Sequence, residues 1–513
     1  MSTANPPEVP DKIDGAVLKV AGVVILGAIM SILDITVVNV ALPTFQEVFS
    51  DEGASVAFST VAWTMTAYTL ALATVIPLTG WAADRFGTKR LYMTAIALFV
   101  AGSVLCATAT DINMLIVFRV LQGLGGGMLM PLGMTIMTRA AGPKRMGRLM
   151  AILGVPMLLG PILGPILGGY LIDHASWHWI FLINLPIGVI ALVYAWKVLP
   201  SDNPTPTESF DFLGMLLMSP GLALFLFGVS SIPEKGTMGT PRVWVSMLIG
   251  ALLIVAFVFH AFRPAHPLLD LRLFKNRGFT IVNITMFLFG VAFFGSLLLI
   301  PTYFIQVRGE SPLNAGWLIA PQGLGAMLTM PVAGALADKL PVGRIIPVGL
   351  VLIFLGMLGL TQVEADTSYL FIMATLFVMG LGMGSTMMPL MTSAMKTLTN
   401  HDVARGSTLL NIVQQVASSI GAAVMSVVLT SNIKGSDLAG TAIASREDPS
   451  IIDKVGQADI AKGFVDAAGA FSGTFWIAVI LVAVTFIPAL MLPRKHEESH
   501  LLDDEGRPPV VVH

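Results

Sequence analysis

The sequence predicts an all-α polytopic membrane protein: two pseudo-symmetric six-helix bundles plus two inserted helices, fourteen spans in all. Three observations carry this. The chain has 513 residues, 55% of them hydrophobic and 12% charged, with a mean hydropathy of +0.82; a soluble domain carries about twice that share of charge. Apolar runs long enough to cross a hydrocarbon core of about 30 Å follow one another along the chain. A pattern of glycines and charges also recurs roughly half a chain length later.

In order, the apolar runs cover residues 17–42, 60–81, 91–109, 114–138, 147–171, 180–197, 212–231, 242–262, 279–305, 314–337, 344–361, 369–394, 406–430 and 470–492. The polar, proline-containing start (1–14) and the length of the first run argue against a cleaved leader, so the first span is expected to act as an uncleaved signal. With the N-terminus inside, the six inner loops hold 16 Lys and Arg, and the short outer loops hold Lys235, Arg242 and Arg308. That bias places both termini in the cytoplasm and requires an even number of spans. The basic stretch 263–278 reads as a surface helix leading into the second bundle.

The repeat sets the domain organisation. GWAADRFGTKR (Gly80–Arg90) follows span 2, and GALADKLPVGR (Gly334–Arg344) follows span 10, 254 residues later. GLGGGMLMPL in span 4 answers GLGMGSTMMPL in span 12, about 257 residues apart. Residues 1–200 and 271–496 are therefore read as the two six-helix bundles. Residues 201–270 are the inserted pair with its linker, and 497–513 a cytoplasmic tail.

Composition narrows the function. A net charge of −2 gives no reason to expect a nucleic-acid partner, and the lone Cys106 forms neither a disulfide framework nor a cysteine metal site. There is no nucleophile–base set, so the chain is not read as an enzyme. No Walker sequence is present, so ATP is not the expected energy source. No cofactor or metal is expected.

Asp34 and Arg119 are the charged residues lying more than about one turn inside a span, at similar depth on spans 1 and 4. Two such charges are costly in lipid unless they meet, so they are expected to face a shared cavity. A nearby cation favours the charged form of an acid and burial favours the neutral form, which makes such an acid a plausible proton carrier. A static structural pair satisfies the same physics.

In Gly80–Arg90, Asp84 can cap a helix or pair with Arg85, Lys89 or Arg90, with Gly80 and Gly87 allowing a tight turn. Asp338 and Arg344 repeat the device. The reading is a latch between inner helix ends; ordinary positive-inside charge explains the bases but not the acids. Gly160, Gly164, Pro165, Gly168 and Gly169 form a small-residue seam on span 5, where close helix packing is the simplest account. Trp63, Tyr68, Gln122, Tyr303, Gln306, Gln322, Asn411, Gln414 and Gln415 are candidate substrate contacts, beside 29 adaptable methionines. Interhelical hydrogen bonding or lipid contact accounts equally well for any one of them.

LDITVVNVALP (Leu33–Pro43), the Gly80–Arg90 loop, LIVFRVLQGLGGG (Leu115–Gly127), GPILGPILGG (Gly160–Gly169), WHWIFLINLPIG (Trp177–Gly188) and PTYFIQVRGESPLNAGW (Pro301–Trp317) together resemble the major facilitator superfamily, in particular its fourteen-helix drug:proton antiporter branch, the EmrB/QacA type. Thr88 and His178 depart from that branch's usual bases. The resemblance implies proton-coupled efflux of small amphipathic substrates across a bacterial inner membrane, in contact with lipid. It assigns proton coupling and substrate binding to Asp34 and Arg119, and an antiporter role to the Gly160–Gly169 seam. It leaves a periplasmic adaptor protein open. Export of an endogenous metabolite or lipid, or a non-transporting scaffold or sensor, are the alternatives.

Overall fold

The structure, a computed structural model, describes residues 14–50, 56, 58–141, 145–201, 209–235, 240–264, 266–399, 402–446 and 449–494; the predicted 497–513 tail lies outside them. Among these residues the regular structure is entirely helical. The first half holds α1 (Gly15–Val48), α2 (Phe58–Phe86), α3 (Thr88–Ala107), α4 (Ile112–Ala141), α5 (Met146–His174), α6 (His178–Leu182) and α7 (Asn184–Val198). Then come α8 (Phe212–Lys235) and α9 (Pro241–Ala261). The second half holds α10 (Arg277–Gln306), α11 (Pro312–Lys339), α12 (Val342–Leu360), α13 (Tyr369–Lys396), α14 (Val403–Lys434), the short α15 (Asp437–Ala444) and α16 (Ser450–Val455), and α17 (Gln457–Leu490). Thirteen helical stretches among the described residues are long and apolar enough to cross a membrane, α6 and α7 counting together. The helix α5, some of whose side chains are undescribed, takes the place of the fifth predicted span.

The two halves pack alike, helix for helix. In the first, α1 lies against α4, α5 and α7, α2 against α4, and α3 against α4 and α7. In the second, α10 lies against α13, α14 and α17, α11 against α13, and α12 against α13 and α17. Close approach at glycine fixes the register. A Cβ on Gly123 would come within 2.6 Å of the Tyr68 carbonyl oxygen, and one on Gly380 would overlap the Gln322 carbonyl oxygen. Both contacts obey the sequence offsets, 254 residues for α2 and α11 and 257 for α4 and α13. Between the halves, α5 packs on α11 and α13, and α14 packs on α2 and α4, again a matched exchange. The inserted α8 rests on both α2 and α14, with α9 packed behind it.

Several boundaries differ from expectation. The 34-residue α1 runs on to Val48 with Pro43 inside it, and is about 51 Å long. Predicted span 6 is interrupted at Ile183, where Pro186 cannot donate to the Leu182 carbonyl. Among its described residues, the stretch 263–278 does not form the expected surface helix. Pro264 and Pro267 remove donors, leaving only a 3₁₀ turn at Leu271–Lys275 before α10 begins, while Leu268 and Leu269 are buried. The final long helix starts at Gln457, thirteen residues before the predicted span, and packs against α15, which hydropathy did not reveal.

The glycine contacts make a direct prediction. Gly123→Ala should lower stability by about 1–3 kcal/mol, because backbone must move to admit the methyl group. Gly169 has nothing within 4 Å of an added Cβ, so Gly169→Ala should be neutral or slightly stabilising, by up to about 1 kcal/mol. Thermal unfolding of the two variants in detergent checks the contrast; equal losses would contradict the packing.

Candidate functional site

Asp34 and Arg119 meet directly. The Arg119 Nη1 donates to Asp34 Oδ2 at 2.5 Å and to Gln122 Oε1 at 2.7 Å, while its Nε donates to the Thr64 carbonyl at 3.0 Å. Gln122 closes the triangle by donating from Nε2 to Asp34 Oδ1 at 2.7 Å. Arg119 and Gln122 sit one turn apart on α4, so one helix face presents both to the acid. A second layer holds the first. Ser103 on α3 accepts from Gln122 (3.2 Å) and Asn184 (3.0 Å) and donates to the Phe181 carbonyl (2.9 Å). Asn184 also reaches Asp34 Oδ1 at 3.4 Å. The Tyr68 ring lies under the Arg119 guanidinium, 4.1 Å from its carbon to the ring centroid.

Asp34 is 2% exposed and Arg119 is 1% exposed. This corrects the expectation of a shared cavity: the pair is sealed inside the first half by α1, α2, α3, α4 and α7. Tyr68 and Gln122, expected among substrate contacts, stand in this network. Thr64, Ser103 and Asn184 were missed. Of these, Asn184 alone carried a signal, a polar residue inside the Trp177–Gly188 motif.

The small-residue seam packs on α1 at the level of the acid. Gly160, Gly164 and Gly168 face Ile32, Thr36 and Val37, on either side of Asp34. Gly169 faces away, and the side chain of Pro165 is outside the described set. The other end of α5 meets the second half.

There the two loop acids form matched clusters. Asp84 lies 3.9 Å from Arg139 on α4 and 3.6 Å from Arg405 on α14, at ion-pair distance. Asp338 lies 3.9 Å from Lys396 on α13 and 3.4 Å from Arg148 on α5, and accepts from the Gly147 backbone N–H at 2.7 Å. Each acid thus reaches one base of its own half and one of the other. Asp338 also caps the N-terminus of α5 across the divide. The bases recur 257 residues apart, Arg139 with Lys396 and Arg148 with Arg405, a regularity that the spacing contained. Lys89 caps the end of α7 through the Trp196 and Leu199 carbonyls (2.8 and 2.5 Å), and Arg90 and Arg344 are exposed. Gly87 adopts φ +88°, a conformation that favours glycine, and Gly80 lies against Ala404, Arg405 and Thr408 of α14. Farther along, Thr135 and Ser407 hydrogen-bond across the halves at 2.9 Å.

The remaining candidates separate. Gln414 lines an apolar pocket with Met286, Phe289, Phe294, Met387 and Leu390. Asn411 reaches across the halves to Met134 Sδ at 3.3 Å. Trp63 packs on Phe227 of the inserted α8, at 5.4 Å between ring centroids. Tyr303 is committed within the second half, against Phe471 and to the Glu364 carbonyl. Gln322 is buried between α11 and α13, and Gln306 and Gln415 are half-buried. At the other end of α10, Glu310 accepts from the Tyr369 hydroxyl at 2.5 Å, and this bond holds its carboxyl below the ordinary carboxylate range.

Two like-built helical halves exchanging contacts through α5 and α14, with a buried ion pair in one half, define a membrane carrier by architecture. The chain belongs to the Major Facilitator Superfamily, whose sequence model matches residues 24–422. It is 49% identical over 507 residues to the multidrug resistance protein B homolog of Mycobacterium tuberculosis H37Rv, covering 96% of this chain and 92% of that one. It is 30% identical over 410 residues to the multidrug export protein EmrB of Haemophilus influenzae, covering 79% of each. The crystal structure of the human organic anion transporter MFSD10 shares the fold, with a TM-score of 0.60 at 17% identity over 93% of this chain and all of that one.

The ion pair predicts an ordered set of stabilities. Arg119→Met leaves Asp34 buried without its cation and should cost about 3–5 kcal/mol. Asp34→Asn keeps the bond from Gln122 but leaves Arg119 buried without its anion, and should cost a similar amount. The double variant should recover part of the Arg119→Met loss. Thermal unfolding of the purified proteins decides it, and an Arg119→Met variant as stable as the parent would contradict the pairing.

Proposed function

We propose that the protein is a proton-driven exporter of amphipathic small molecules that works by alternating access in a bacterial inner membrane, with both termini in the cytoplasm. The buried Asp34–Arg119–Gln122 network carries this reading: an acid held out of water beside a cation, in a helix that other elements grip. The names of the multidrug relatives support the substrate class. Residues 1–200 and 271–496 are the two moving units, and 201–270 is an insertion that rests on their seam.

Protonation of Asp34 neutralises the acid and weakens its tie to Arg119. The network survives, because Arg119 keeps the Thr64 carbonyl and Gln122. The α1 segment carrying Asp34 is gripped by the glycine seam of α5, and the far end of α5 is held by Asp338. A change at the acid therefore has a rigid element through which to reach the latch. The closed latches at Asp84 and Asp338, with Thr135–Ser407 beyond them, fit a state shut toward the cytoplasm. Each latch acid can exchange its partner in the other half for solvent when that end opens. Substrate binds between the halves, where Gln414 and its methionine and phenylalanine neighbours offer an adaptable apolar wall.

Two measurements test this. In membrane vesicles loaded with a fluorescent amphipathic cation under an imposed pH gradient, the parent should extrude dye uphill and an uncoupler should stop it. Asp34→Asn should abolish uphill extrusion while downhill exchange persists; a variant that pumps at near-normal rate places the proton elsewhere. Asp84→Asn should slow turnover with dye affinity largely kept, and a folded variant that no longer binds dye contradicts the latch.

A further inference from the structure

A second polar feature lies away from the ion pair, at the latch end of the first half. A pocket of about 140 Å³ opens between α1, α3, α4 and the end of α7, lined by Val20, Thr88, Lys89, Ile136, Arg139, Ala140, Leu199 and Pro200. Among the described residues that line it, two side chains are basic and none is acidic. Val20, Ile136, Ala140 and Leu199 give it apolar lining. Arg139 donates to the Thr88 hydroxyl at 2.8 Å, which holds the guanidinium over the cavity, and Lys89 is fixed beside it by the carbonyls of Trp196 and Leu199. Such a cavity selects an anion with an apolar body attached.

The surface beside it indicates the source of that anion. On α7, Val189, Val193 and Trp196 are exposed and fall on one helix face, and Trp196 is 64% exposed. This stripe runs toward Leu199 and Pro200, which line the pocket. An apolar stripe that ends in an interfacial tryptophan beside two bases matches an acyl chain leading to a headgroup at the membrane surface.

We propose that this pocket holds the phosphate of an anionic phospholipid, with Lys89 and Arg139 as its cations and the acyl chain along Val189, Val193 and Trp196. Occupancy also bears on the latch. Arg139 lies 3.9 Å from Asp84, and Arg405 of the other half lies 3.6 Å from the same acid. A phosphate that draws Arg139 toward the pocket leaves Asp84 to Arg405, and so favours the state in which the two halves are joined at this end.

The test uses the full chain in nanodiscs of phosphatidylcholine doped with phosphatidylglycerol. After mild delipidation, native mass spectrometry should find one more phosphatidylglycerol on the parent than on Arg139→Gln. The same loss is expected for Ala140→Phe, which fills the pocket and leaves every charge in place. Helix content by circular dichroism establishes that both variants are folded. Phosphatidylglycerol should also shift the distance between spin labels on the latch ends of α2 and α14 toward the shorter value in the parent and not in Ala140→Phe. Equal lipid retention in the parent and the folded Ala140→Phe variant would overturn the site. Saturable binding of inorganic phosphate in neutral discs, without extra retained phosphatidylglycerol, would overturn the assignment to lipid.

Discussion

The ion pair between Asp34 and Arg119 constrains the structure more than any other single contact. Neither charge can stay in a dehydrated bundle alone, and breaking a buried pair by removing one partner costs about 3–5 kcal/mol. The surrounding helices are arranged to satisfy both. The α2 backbone supplies the Thr64 carbonyl, α4 supplies Gln122, and α3 and α7 supply Ser103 and Asn184. Asn184, the first residue of α7, reaches the acid directly. The α5 glycines then allow α1 to be gripped on both sides of Asp34 without a side chain between them.

Symmetry supplies the machinery and asymmetry the chemistry. The charge clusters at Asp84 and Asp338 match, with their bases at equivalent places in each half. The buried ion-pair network with Gln122 belongs to the first half. At the positions equivalent to Arg119 and Gln122, 257 residues later, stand Leu376 and Met379, both buried. The second half therefore keeps the packing of the first without its charge. Its α10, α13 and α14 instead surround Gln414 with methionine, phenylalanine and leucine. In the proposed cycle one half carries the proton switch, and the other offers the adaptable surface.

Much of this could be read in the chain. Charges in apolar runs are rare and costly, so Asp34 and Arg119 stood out, and a repeat at fixed spacing showed through ordinary drift. The positions of the helices followed from hydropathy for the same reason. What stayed hidden depends on which way a side chain points. Tyr68 and Gln122 had the chemistry of cavity residues, but their helix faces turn inward to the ion pair. Trp63 meets the inserted α8, a contact that no spacing encodes. Ser103 and Thr64 are common in spans and announce nothing until Gln122 and Arg119 are placed beside them. The expected helix over 263–278 failed on Pro264 and Pro267, whose missing donors outweighed the basic pattern. The bases around Asp84 and Asp338 are legible in the same repeat, since Arg139 and Lys396, like Arg148 and Arg405, stand 257 residues apart.

The central claim is that Asp34 changes its protonation when the carrier takes up substrate. Proton release from purified protein in weakly buffered detergent, recorded as an amphipathic substrate is added, tests it most directly. The account predicts about one proton released per substrate bound at a pH where the free carrier is protonated, and none from an Asp34→Asn variant that still binds. Equal proton release from parent and variant would contradict it, and would leave Asp34 as a structural partner of Arg119.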